Sequence, residues 1–298
     1  MTTVIGQLIN ALQLGSIYAL VALGYSMVYG IISLLNFAHG DIIMVGAYAA
    51  WFIMTSLNSF LPFGAVAAIA VVFSILICTL LGAGIEKVAY APLRSAPRLS
   101  LLITAIGVSY FLENMAQMIF GAGAKSVPNI ISIGSFHVGK MTVSWTSAIT
   151  LIVSVISMAV LTVFVKKTKM GKAMRAVSED VGTAQLMGIN PNKTISLTFA
   201  IGSALAGIGS ILYCCAYAQA SPTMGSMLGL KAFVAAVLGG IGSIPGAVLG
   251  GFAIGLAETL VSSVGLSVWK DAIVFAILII VLIFKPAGIL GKKKIEKV

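Results

Sequence analysis

The sequence predicts an all-α, polytopic transmembrane helix bundle of about eight to nine membrane segments, interrupted near residues 239–246. Three observations predict it. Apolar residues make up 59% of the 298 residues and charged residues only 9%, against about 25% charged in a soluble domain. Long stretches, such as 42–85, contain no charge at all. At about 20 residues per spanning helix, the length fits such a bundle and leaves no room for a soluble domain. A β-barrel is excluded because its lumen-facing alternate residues are polar.

The net charge of +10 does not imply nucleic acid. In a polytopic protein excess Lys and Arg collect in cytoplasmic loops. Cys78, Cys214 and Cys215 all sit in apolar stretches without C-x-x-C spacing, so neither a disulfide nor a metal centre is expected. The start, Met1-Thr2-Thr3-Val4, has no basic n-region, and the uncharged run that follows is too long for a signal peptide.

Taken in order, residues 4–29 form a first span with Gln7, Asn10 and Gln13 near its start. The uncharged run 42–85 is long enough for two spans, with Asn58, Ser59 and Pro62 marking the turn. A polar stretch follows, with Glu86, Lys87, Arg94 and Arg98. Residues 99–120 are a fourth span, 121–142 a mixed loop and 143–165 a fifth span. Residues 166–193 are the longest polar stretch, and 194–218 a sixth span. Residues 228–262 are apolar but broken by Gly239-Gly240-Ile241-Gly242-Ser243-Ile244-Pro245-Gly246, because glycine and proline weaken helices. Residues 268–284 are the last span.

Lys and Arg set the orientation. They gather in 86–98, in 166–193 (Lys166, Lys167, Lys169, Lys172, Arg175, Lys193) and in the tail with Lys292, Lys293 and Lys294, which places these segments in the cytoplasm. Residues 219–227 and 262–267 then both fall outside. By parity 228–262 leaves and returns on one face, as two short spans or a re-entrant hairpin, and the N-terminus lies outside. Gly242, Gly246 and Gly250, and Gly251 and Gly255, are spaced by four, the pattern that lets helices approach closely in lipid.

Four constellations are candidates for chemistry. Gly134 to Met141 nearly matches a Walker A loop, but Met141 stands where a Ser or Thr must hold magnesium, so no ATP site is built here. Residues 171–191 fit one short helix between Gly171 and Gly188-Ile189-Asn190-Pro191. Ala173, Val177, Ala184 and Met187 share its apolar side, and Arg175, Ser178, Glu179 and Asp180 are polar. It reads either as a docking element for a soluble partner or as a helix on lipid headgroups. In Asn36-Phe37-Ala38-His39-Gly40-Asp41, Asp41 is expected to cap the second helix and His39 to hydrogen-bond, with a proton relay as the alternative. Ser109, Glu113 and Gln117 form a polar stripe on the fourth span, which faces the bundle or a water-filled path because an intramembrane carboxylate costs about 2.5–3.5 kcal/mol. Glu258 is a similar lone acid.

The runs NFAHGDIIMVGAY (36–48), GKAMRAVSEDVGTAQLMGI (171–189) and KAFVAAVLGGIGSIPGAVLGG (231–251) resemble the permease subunits of branched-chain amino-acid ABC importers. The resemblance covers essentially the whole chain. It implies one transmembrane permease domain over 1–298, in the bacterial cytoplasmic (inner) membrane, with no catalytic chemistry and no cofactor. It implies a second homologous permease subunit, two cytoplasmic ATP-binding subunits and an extracytoplasmic solute-binding protein as partners. Within it, 166–193 is the coupling loop, with Gly171, Ala173, Arg175, Ala176, Val177, Glu179, Asp180, Ala184 and Gly188 receiving the ATPase stroke. Asn36, His39, Asp41, Ser109, Glu113, Gln117, Gly242 and Gly246 are candidates for the translocation path or its gating. The rival hypothesis is a secondary transporter coupling a proton through Asp41, Glu113 or Glu258. Relatives of the same architecture carry urea or amides. An aliphatic amino acid needs an apolar subsite and a zwitterion-binding end, and the sequence assigns no residue to either.

Overall fold

The computed structural model describes residues 2–32, 36–94, 96–128, 130, 134–138 and 141–291. Its helices are α1 (Thr2–Ile32), α2 (His39–Leu57), α3 (Phe63–Ile85), α4 (Arg98–Phe120), α5 (Trp145–Lys167), α6 (Lys169–Glu179), α7 (Val181–Leu186), α8 (Pro191–Tyr217), α9 (Met224–Gly239), α10 (Ile244–Ser263) and α11 (Lys270–Phe284). Eight of the helical stretches are long and apolar enough to cross a membrane, and Met224–Gly239 is a shorter apolar helix. The expected turn at 58–62 is present, and the break expected within 239–246 falls at 240–243.

Two regions differ from expectation. The mixed loop 121–142 holds short strands. β1 (Lys125–Ser126) pairs antiparallel with β4 (Gln219–Ala220), and β2 (Ser135–Val138) with β3 (Met141–Ser144). The polar loop holds two helices instead of one. α6 ends where Asp180 turns extended (φ −158°, ψ 116°), and the Asp180 carboxylate accepts from the Thr183 N–H to cap α7. Gly188, at φ +81°, ends α7 in a conformation that suits glycine. Glu179 and Asp180 lie outside the apolar stripe, so the chain re-caps there without losing a buried contact.

Cross-contacts fix which helix ends share a face. At the end carrying the Lys/Arg-rich segments, the Gly242 N–H donates to Ser26 Oγ at 2.9 Å near the close of α1. Ile289 and Leu290 donate their N–H groups to the carbonyls of Leu238 and Gly239. Arg94 donates to Glu86 and to Asn192 there, and Ser196 donates to Glu86, joining the end of α3 to the start of α8. At the opposite end lie the β1–β4 pair, Tyr48 stacked on Phe120 at 4.3 Å, and Ser147 donating to Gln13 at 2.6 Å. The start of α1 therefore lies opposite the basic end, as parity requires. Lys292, Lys293 and Lys294 fall outside the described residues.

The glycine repeats serve two faces of α10. Gly246 and Gly250 lie against α9, and Gly251 and Gly255 against α1. A Cβ on Gly251 would lie 2.5 Å from Ala19 Cα, so the two helices touch backbone to backbone. The fold's core is the α1–α10 contact; α8 packs against α1 and carries α2 and α3.

Candidate functional site

α1 has 31 residues and spans about 46 Å at 1.5 Å per residue, enough to cross the bilayer. α9 has 16 residues, about 24 Å, less than the roughly 30 Å hydrocarbon core. It does not cross alone. Its start sits against the start of α2: a Cβ on Gly225 would lie 2.6 Å from the Gly40 carbonyl oxygen, and one on Gly40 would lie 3.0 Å from Gly229 Cα. Depth follows from α3, where Cys78 Sγ donates to the Ile42 carbonyl at 3.3 Å. Cys78 is halfway along the apolar stretch Phe63–Leu93. Thus α2 and α9 begin back to back at mid-depth and run to opposite faces.

Two helix N-termini, each equivalent to about half a positive charge, would repel at such a junction. Two carboxylates answer them. Asp41, fully buried, lies in the first turn of α2, accepts from Ser109 on α4, and turns Oδ1 toward Gly225 of α9. Glu113, on α4, accepts from Ser226 in the first turn of α9. This corrects the expected role of Asp41. The N-cap is Ala38, with no side-chain cap bond, and Asp41 acts from inside the helix toward both dipoles. His39 lies close by. It is buried against Gly24 and meets Tyr25 edge-on at 4.8 Å, and its Nε2 has no hydrogen-bond partner. Asn36 Oδ1 accepts from Tyr90 at 2.7 Å. Of the α4 stripe, Ser109 and Glu113 reach the junction, while Gln117 is half-buried one turn beyond.

Glu258 is not a lone acid. It is buried, accepts from Tyr18 at 2.6 Å, and pairs with Lys231 at 2.8 Å and Lys270 at 3.4 Å. Lys231 also reaches Asp271 at 2.6 Å. This cluster ties α1, α9, α10 and α11 together. The sequence reading passed over Lys231, although one lysine inside an apolar run is itself a signal.

At the basic end, α6 lies against the bundle. Gly171, Met174 and Val177 are buried, as is Ala184 of α7. Gly171 is close to the backbone of Phe164 and Val165, where a side chain has no room. Val177 and Ala184, read as facing a partner, instead anchor the helices to their own bundle. Ala173 and Ala176 are half-buried, and Arg175, Glu179, Asp180 and Gly188 are exposed. An open apolar surface lies at the end of α7, where Leu186 is 89% and the following Met187 78% exposed. Among the described residues no group of His, Cys, Asp or Glu is arranged for a metal.

A multi-pass bundle in which two helices begin back to back at mid-depth, with a tethered helix pair at its basic end, defines a membrane transport protein. Comparison with known proteins gives its kind. Residues 7–282 match the family model described as branched-chain amino acid transport system / permease component, and the chain belongs to that family. It is 43% identical over 301 residues to the high-affinity branched-chain amino acid transport system permease protein BraD of Pseudomonas aeruginosa, covering 98% of this chain and 97% of that one. It is 43% identical over 299 residues to the LivH permease protein of that name in Escherichia coli K12, with the same coverage. It is 27% identical to the ribose import permease protein RbsC of Haemophilus influenzae, over 98% of this chain and 88% of that one. The protein is a multi-pass permease of the inner membrane.

Proposed function

We propose that this chain is the membrane-spanning subunit of an ATP-driven importer for leucine, isoleucine, valine or related amino acids, with no catalysis of its own. It would work with a second permease, two cytoplasmic ATPase subunits and an extracytoplasmic binding protein. The observation that carries this is the α6–α7 pair. Its inner side is locked into the bundle through Met174, Val177 and Ala184, while Leu186 and Met187 are left exposed. Apolar side chains held out on a braced helix suit a partner's groove, with Arg175, Glu179 and Asp180 as the charged rim. Leucine-rich interfacial helices lie flat on lipid, but an acidic pair beside the apolar residues opposes anionic headgroups.

The back-to-back junction of α2 and α9 is the natural moving part. Asp41, Ser109 and Glu113 hold it, and the turn at 240–243 joins α9 to α10. Motion of the coupling helices would reach α9 from the basic end. The test is reconstitution of the chain with its permease partner, ATPase subunits and binding protein in liposomes. Uptake of leucine that requires ATP is the expected result. Uptake by this chain alone, driven by a proton gradient, would refute the reading.

A further inference from the structure

Between the ends of α1, α8, α10 and α11 opposite the basic end lies a cavity of about 350 Å³, within the range of small-molecule sites. We infer that it is an entry site for an aliphatic amino acid, binding both charged ends of the zwitterion and its side chain. The inference rests on the permease reading and adds to it the residues that meet the solute.

The lining is graded. Gln7, Asn10, Leu14 and Ile17 all line it, and their spacing places them on one face of α1. The amides lie nearer the helix start, and the aliphatic pair lies one to two turns deeper. Ala216 extends the apolar wall from α8. Across from them are Lys270 and the buried Glu258. The two have different freedom. Glu258 is held by Tyr18 and by Lys231 at hydrogen-bond distances, 2.6 and 2.8 Å. Lys270 is 41% exposed and stands 3.4 Å from Glu258, beyond the normal range of an N–H···O bond. Its ammonium has three donors. If it turned to a ligand carboxylate, Glu258 would keep Tyr18 and Lys231, so no buried charge would be stranded. A free amino acid supplies that carboxylate. Its ammonium suits the amide oxygens of Gln7 and Asn10, and its side chain suits Leu14, Ile17 and Ala216. A simple anion would leave the amide oxygens unused, and an amine would leave Lys270 unused.

Ser262 lines the cavity and is exposed, and the three native cysteines are buried, so Ser262→Cys gives a specific probe. The experiment labels that variant, assembled with its partner subunits in proteoliposomes without ATP, using a membrane-impermeant methanethiosulfonate. With L-leucine at ~10 times its dissociation constant, labelling should slow about tenfold by mass action. Isovalerate, lacking the ammonium, and isoamylamine, lacking the carboxylate, should protect weakly. In the Ser262→Cys background Lys270→Met should abolish protection and Lys270→Arg should retain it. If the Lys270 variants fail to assemble, Asn10→Trp at an exposed position serves instead, filling the cavity and removing protection. Labelling unchanged by leucine in a complex that still imports leucine with ATP would overturn the site, and so would protection by isovalerate equal to that by leucine. Absence of ATP-driven uptake in the wild type is a separate outcome that overturns the importer reading, because labelling needs no ATP.

Discussion

Leu186→Asp tests coupling directly. The side chain is 89% exposed at the end of α7, so the substitution removes almost no contact inside the subunit. Stability should hold within about 0.5 kcal/mol, as for surface changes generally. Burying a leucine fully is worth about 1.5–3 kcal/mol, and nearly all of that is available to a partner here. The loss is therefore about 2 kcal/mol per docking site, or roughly 30-fold in affinity, before the added cost of burying a carboxylate. Purified complex should lose its ATPase subunits on dilution, and ATP-driven uptake should fall in proportion. The contrasting variant is Met174→Ala. Met174 is fully buried, so it should lower stability by about 2–5 kcal/mol whatever the partner does. If Leu186→Asp bound its ATPase and transported like the wild type, α7 would not be the coupling surface.

Other outcomes follow from the same geometry. Gly225→Val places a side chain where the Gly40 backbone lies and should prevent the α2–α9 junction from forming, read as loss of folded protein in detergent. Lys231→Met leaves Glu258 and Asp271 without their shared cation and should cost about 3–5 kcal/mol in thermal or denaturant unfolding. The Thr183 N–H holds Asp180 below the ordinary value of 3.8. The cap therefore stabilises α7 fully above that value and is lost as pH falls through the lower folded value. Amide exchange at Thr183 should accelerate only at such acid pH, and Asp180→Ala should show the fast rate at neutral pH. A cysteine at Lys172, exposed on α6, should react with impermeant reagents only from the cytoplasmic face; labelling from outside would reverse the orientation.

The spans were legible because uncharged runs of about 20 residues have few other fates. The turn at 240–243 was legible because glycines and Pro245 crowd there. The start of α9 was not, because depth in the membrane is not written in composition. Pro222 ahead of the helix was the available clue. The division at Asp180 was hidden for a different reason. No glycine or proline marks it, and an aspartate two residues before Gly182 reads as a cap only once the helix beyond it is known. Asp41 shows the same limit. Its place beside a helix start was readable, but the second helix start it also faces comes from residues nearly two hundred positions later. Glu258 gained its partners from α1, α9 and α11 in the same way.

A continuous helix carries displacement along its axis from one face of a membrane to the other. α1 does so, and so does the long run through α3. Between them, the line through α9 and α2 is cut at mid-depth, where Gly225 and Gly229 meet Gly40 backbone to backbone. Push on the basic end of α9, through the Leu238 and Gly239 carbonyls bonded to the tail, and the thrust stops at a smooth seam. In the proposed transport cycle the seam would slip sideways while the outer half of α2 stays seated on α3. On the importer reading proposed above, the bundle would combine stiff rails with one compliant joint at mid-depth.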